Sequence, residues 1–143
     1  MSDLLQKIAN KSPWIYRINA GSCNGCDVEM ATAALIPRYD VERLGCRYCG
    51  SPKHADIVLI SGPITAVVKE KVLRVYNEIP DPKVVVAVGI CPITGGVFRD
   101  SYSIEKPLDG YIKVDVNVPG CPPRPQAILD GIVKALDIWK SRL

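Results

Sequence analysis

Strand-like and helix-like segments alternate along this chain, which predicts a three-layer α/β domain with a mainly parallel sheet. Two short runs, Asp56–Ile60 (DIVLI) and Val84–Val88 (VVVAV), have the continuous apolar character of strands buried on both faces. Between them Val68, Val72, Val75, Tyr76 and Ile79 recur at three- and four-residue intervals, the period of an amphipathic helix. The 143 residues are 48% hydrophobic and 23% charged, the balance and length of one globular domain. A single domain over residues 1–143 is therefore expected, with 1–12 as an N-terminal extension.

Each element has its own reason. Trp14–Ala20 (WIYRINA) alternates large apolar with polar residues and stops at Gly21, as a strand entering a tight turn does. Asp27–Ile36 (DVEMATAALI) is rich in helix formers, opens with carboxylates and ends at Pro37. Tyr39–Leu44 is expected to be the second strand and Asp56–Ile60 the third. Thr65 is the expected N-cap of the following helix, which Pro80 and Pro82 close. After the strand Val84–Val88, Tyr111–Val118 (YIKVDVNV) alternates like a last strand. Pro123–Leu143 carries Ile128, Ile132, Leu136, Trp139 and Leu143 along one helical face, with proline in the first turn.

Composition excludes several classes of function. The net charge of +3 comes from 18 basic and 15 acidic residues scattered along the chain, not from the basic stripe that nucleic-acid binding needs. No apolar run approaches the length that spans a bilayer, so direct membrane insertion is not expected. Met1–Trp14 has neither an apolar signal core nor a twin arginine, which argues against export. In a reducing compartment, six cysteines in a chain large enough to build an ordinary core point to metal rather than to disulfides.

The placement of those cysteines is the informative step. Cys23 and Cys26 follow the first strand, Cys91 follows Val84–Val88, and Cys121 follows Tyr111–Val118. All four lie past the carboxyl ends of strands, the edge where open parallel sheets bind ligands. A 4Fe-4S cluster takes one cysteine sulfur per iron, and loops rich in glycine (Gly21, Gly25, Gly95, Gly96, Gly120) let backbone N–H groups approach sulfur. A rival reading stays open. Cys23, Cys26, Cys46 and Cys49 form C-x2-C-x19-C-x2-C, a spacing that also suits a four-cysteine zinc site, although it gives Cys91 and Cys121 no role. If the cluster reading holds, Cys46 and Cys49 are packed thiols flanking the second strand.

Four stretches in order, Gly21–Glu29 (GSCNGCDVE), Pro37–Asp40 (PRYD), Gly50–Asp56 (GSPKHAD) and Val118–Pro125 (VPGCPPRP), resemble the small subunit of membrane-bound, energy-converting nickel-iron hydrogenases. The chain is also similar to the B subunit of respiratory complex I. That subunit has adjacent cysteines at the first site, whereas Cys23 and Cys26 are separated by two residues, the hydrogenase form. The Cys46-x-x-Cys49 insertion looks closest to the carbon-monoxide-linked branch. The resemblance implies a flavodoxin-like domain without flavin, holding one 4Fe-4S cluster on Cys23, Cys26, Cys91 and Cys121. It further implies an electron-transfer subunit, not catalytic alone, that passes electrons from a ferredoxin-type subunit to a nickel-iron large subunit reducing protons to hydrogen. Integral membrane subunits of the same complex would hold it at the cytoplasmic face of the membrane. The alternatives are a quinone-linked complex I type subunit and a zinc-binding adaptor.

Three further residues are candidates for contacts around the cluster or at the interface. Glu29 lies three residues after Cys26, and Arg124 stands between prolines just past Cys121. His54, the one histidine in the chain, rules out a histidine-based metal site and suits a hydrogen bond or an interface. Asp27 is expected to cap its helix.

Overall fold

The computed structural model describes residues 12–143, so what is expected of residues 1–11 lies outside it. Five strands form one wholly parallel sheet: β1 (Trp14–Asn19), β2 (Arg47–Tyr48), β3 (Ile57–Ser61), β4 (Val84–Val88) and β5 (Val116–Val118). Their spatial order is β2-β1-β3-β4-β5, the flavodoxin-like arrangement. Four helices cover it: α1 (Gly25–Leu35), α2 (Lys69–Glu78), the short α3 (Ile90–Thr94) and α4 (Pro125–Arg142).

β3 and β4 are buried along their whole length, and their alternate residues feed two cores. Ile57, Leu59, Val84, Val86 and Val88 face α1 and α4, meeting Met30, Ala33, Ile128, Ile132 and Trp139. Val58, Ile60, Val85 and Ala87 face the other way, toward Val72 and Ile79 of the α2 side and the loop residues Leu108 and Ile112. Two layers of helix on opposite faces of one sheet follow from that alternation.

Three local expectations are corrected. Tyr39–Leu44 is not a strand. Asp40 accepts the Glu42 N–H at 3.2 Å and starts a 3-10 turn over Val41–Leu44, so the second strand is the shorter Arg47–Tyr48. Tyr111–Val118 is a strand only over Val116–Val118. Ile112 and Val114 pack on the α2 side while Val116 and Val118 pack on the α1 side, which a single straight strand cannot achieve with residues of equal parity. Thr65 does not cap α2, which begins after Val68; its backbone carbonyl accepts the Lys69 N–H at 3.0 Å in the preceding turn.

The amino edge of the sheet is locked by charge. Asp115, just before β5, accepts the Val85 N–H at 3.0 Å and a two-pronged contact from Arg142 near the end of α4. Burial alone would raise the Asp115 carboxyl, but the Arg142 hydrogen bond and charge, the Val85 N–H and Lys113 outweigh it and hold it below the usual range. A depressed carboxylate stabilises the fold above its unfolded pKa, and that contribution is lost as pH falls through the lower folded value. Arg142→Ala is expected to cost about 1–3 kcal/mol at neutral pH, because Asp115 is left buried with one partner fewer. Urea melts should show the gap between variant and parent shrinking as the pH falls below the ordinary carboxylate range.

Candidate metal centre

The carboxyl ends of β1, β4 and β5 bring four cysteines to one edge. Cys23 and Cys26 lie in the turn from β1 into α1, Cys91 in α3 directly after β4, and Cys121 just beyond β5. Cys26 is buried, Cys91 is partly buried, and Cys23 and Cys121 are exposed. The group thus closes toward the sheet and opens outward.

Backbone contacts tie the three loops together. The Gly89 N–H donates to the Val118 carbonyl at 2.8 Å and the Ile90 N–H to the Gly120 carbonyl at 2.9 Å, so the exit of β4 is stitched to the exit of β5. Gly89 has φ +91, and a Cβ there would lie 2.6 Å from the Cys26 Sγ. Only glycine lets the β1 loop close on β4 at that point. Gly62, with φ +85, does the same at the exit of β3, where a Cβ would lie 2.2 Å from the Ser22 nitrogen.

The thiols act on one another. Cys26 is pushed up to about 11, first by burial, then by Cys91, Cys23 and Cys121, and by the Asp27 carboxylate. Cys91 is raised by burial and by Cys121 and Cys23. Burial and the neighbouring sulfurs both disfavour the ionised form of Cys26 and Cys91, a cost that a cationic iron–sulfur core would offset. Glycine lies against three of the four sulfurs. A Cβ at Gly25 would stand 3.6 Å from Cys23 Sγ, and one at Gly96 would stand 3.5 Å from Cys91 Sγ. The donor set, four cysteine sulfurs from three loops with glycine beside three of them, fits an iron–sulfur cluster. Among the described residues no three His, Cys, Asp or Glu side chains converge closely enough to hold one metal ion.

The rival zinc arrangement does not assemble. Cys46 packs in the core on the α1 side of the sheet, and Cys49 packs against the core on the α2 side. They flank the two-residue strand β2 and point to opposite faces. Burial pushes Cys46 up to about 11, with Lys140 opposing, and no other cysteine acts on it. The Cys49 thiol, raised mainly by burial, donates to the Ser51 carbonyl at 3.4 Å.

The other candidates divide. Glu29, half-buried on α1, and Arg124, the exposed residue preceding α4, lie on the cysteine edge. His54 lies in the 3-10 turn before β3, at the amino ends of the strands, with its ring 6.0 Å from that of Trp14. It lies at the opposite end of the strands from Cys23, Cys26, Cys91 and Cys121, so a contact around those four sulfurs does not fit its position. Asp27 is no cap. Asn24 is the N-cap of α1 and makes no side-chain cap bond, while Asp27 accepts from Asn19 Nδ2 at 2.6 Å and Ser61 Oγ at 2.9 Å, with Arg17 Nη1 at 3.7 Å. Asn19 also accepts the Gly21 and Ser22 N–H groups at 2.9 and 2.8 Å, fixing the turn that carries Cys23. Sequence reasoning missed this network of Arg17, Asn19, Asp27 and Ser61. Its one local signal is an asparagine at the end of a strand before glycine.

Residues 23–135 match the family model of the 20 kDa subunit of NADH ubiquinone oxidoreductase. A probable membrane-bound hydrogenase subunit of Pyrococcus furiosus is 56% identical over 133 residues, covering 93% of this chain and 79% of the relative. Formate hydrogenlyase subunit 7 of Escherichia coli is 40% identical over 142 residues, covering 99% of this chain and 55% of its own length. The chain thus spans about half of that second relative. Among solved structures, a chain of an archaeal membrane-bound sulfane sulfur reductase superposes with a TM-score of 0.83 at 39% identity, covering 99% of this chain and 77% of the other.

Proposed function

This chain belongs to the family of the 20 kDa subunit of NADH ubiquinone oxidoreductase, and on that premise we propose that it is the electron-transfer subunit of a membrane-bound nickel-iron hydrogenase. It is an oxidoreductase subunit, not catalytic alone, with an electron-transfer role in an energy-converting complex. The observation that carries the finer reading is the meeting of Cys23, Cys26, Cys91 and Cys121 from three loops at one sheet edge.

These four residues would hold one 4Fe-4S cluster. Such a cluster, when bound, exchanges one electron at a time, so two-electron proton reduction to hydrogen belongs to a nickel-iron site on a large subunit. Cys26 anchors the inner side against the buried sheet, and Cys23 and Cys121 face outward. Val28 is exposed on α1, which carries Cys26, and Val97, Phe98 and Tyr102 are exposed in the turns that follow α3, apolar side chains suited to a partner subunit. That edge would meet the large subunit, with a ferredoxin-type subunit as the electron source and integral membrane subunits as the anchor. Among the described residues no helix is long and apolar enough to cross a membrane. The cytoplasmic face is the side of the membrane this reading favours.

The likeness to a sulfane sulfur reductase gives a second reading, in which the same wire serves sulfur reduction. The higher identity to the hydrogenase subunit favours hydrogen. Anaerobic purification of the complex that contains this chain tests both. The expected result is hydrogen evolution with a reduced viologen by the complex and none by this chain alone, with four irons and acid-labile sulfide on the separated chain. Reduction of sulfane sulfur without hydrogen would favour the second reading, and a single zinc on the chain would refute both.

A further inference from the structure

We infer that Arg17 and Asp27 form a fixed charge pair that sets the reduction potential of the redox centre at Cys23, Cys26, Cys91 and Cys121, Asp27 lowering it and Arg17 raising it. The inference rests on the proposed cluster reading and adds to it the residues that tune the centre.

The geometry begins with parity along two strands. Arg17 and Asn19 share one face of β1 with the buried Ile15, and Ser61 of β3 shares that face with Ile57 and Leu59. All three converge on Asp27, which follows Cys26 in the first turn of α1 and is only 7% exposed. Each partner is a donor: an amide N–H of Asn19, the hydroxyl of Ser61 and the guanidinium of Arg17. An environment of donors alone suits the ionised, acceptor-only carboxylate.

A buried carboxylate is costly, and a neutral side chain could serve as well if the site needed only a spacer. Its position gives the charge a use. Asp27 is the chain neighbour of Cys26, both are buried, and charges interact strongly where water is excluded. Negative charge beside an iron–sulfur centre opposes the arrival of an electron, and positive charge favours it. Arg17 lies on the solvent side of the pair, its side chain 46% exposed, so Asp27 is the inner and less screened charge.

The test is a redox titration followed by electron paramagnetic resonance on the anaerobically purified complex, reading the signal that disappears in Cys121→Ala. Asp27→Asn keeps the shape: its amide oxygen can accept from Asn19, and its NH2 can face the Ser61 hydroxyl, which rotates to accept. With iron content unchanged, Asp27→Asn is expected to raise the midpoint potential and Arg17→Gln to lower it, while Arg17→Lys stays near the parent. Unshifted potentials, or shifts of the same sign in both charge-removing variants, overturn the inference and leave the cluster reading intact. Should Asp27→Asn lose iron, the Arg17 pair decides: a fall in Arg17→Gln that Arg17→Lys does not show supports the inference, and no fall overturns it. A parent chain without iron overturns the cluster reading and this inference with it.

Discussion

Alanine at any one of Cys23, Cys26, Cys91 or Cys121 is expected to abolish the iron–sulfur signal of this chain, whereas Cys46→Ala and Cys49→Ala retain it in full. Each iron of a 4Fe-4S cube takes one cysteine sulfur, so losing a ligand strips an iron of its anchor. Rescue of the signal by an added small thiol should be poorest for Cys26. Its thiol is buried and surrounded by three others, so an added thiol cannot take its place as readily as at the exposed Cys23 or Cys121. Cys46→Ala removes a buried sulfur from the core and is expected to cost about 1 kcal/mol of stability with no loss of iron. Iron and sulfide determinations and electron paramagnetic resonance on the six variants check this. Loss of iron in the Cys46 or Cys49 variant alongside retention in Cys91→Ala would falsify the ligand set.

The same residues show what a sequence exposes and what it hides. β3 and β4 were readable because five consecutive buried residues leave the same mark wherever they occur, and α2 because its apolar stripe is local. The Tyr39–Leu44 stretch misleads because its spacing of apolar residues resembles a strand while the deciding interaction is one side-chain oxygen of Asp40 on the backbone of Glu42. Tyr111–Val118 misleads for another reason: its even residues are all apolar, yet they serve two different cores as the chain passes round the sheet. Cys23, Cys26, Cys91 and Cys121 could be placed along one edge of the sheet by counting strand ends, since in a parallel sheet every strand points the same way. That logic also puts His54, before β3 rather than after it, on the far edge. Asp27 resisted because its partner Ser61 lies 34 residues away and meets it only once β1 and β3 are in register.

The second large effect belongs to a residue with no side chain. Gly89→Ala is expected to lose most of the iron while leaving the sheet folded, and to lower stability by about 1–3 kcal/mol, the cost of holding a non-glycine residue in an unfavourable backbone region. At φ +91 the new methyl would stand 2.6 Å from Cys26 Sγ and 3.5 Å from the Gly120 carbonyl, so something must move. The Gly89 N–H is bonded to Val118 and the Ile90 N–H to Gly120, so β4 cannot yield without unstitching the loop that carries Cys121. Cys26 must give way instead, and it is the most buried of the four thiols. Gly50→Ala is the matched control, since a Cβ there meets nothing within 4 Å and the position lies outside the left-handed region. That variant should keep its iron and match or slightly exceed the parent in thermal stability. Full iron in Gly89→Ala would mean that the β1 loop can close on β4 in some other way, and that the four sulfurs are not held as tightly as the packing around Gly89 requires.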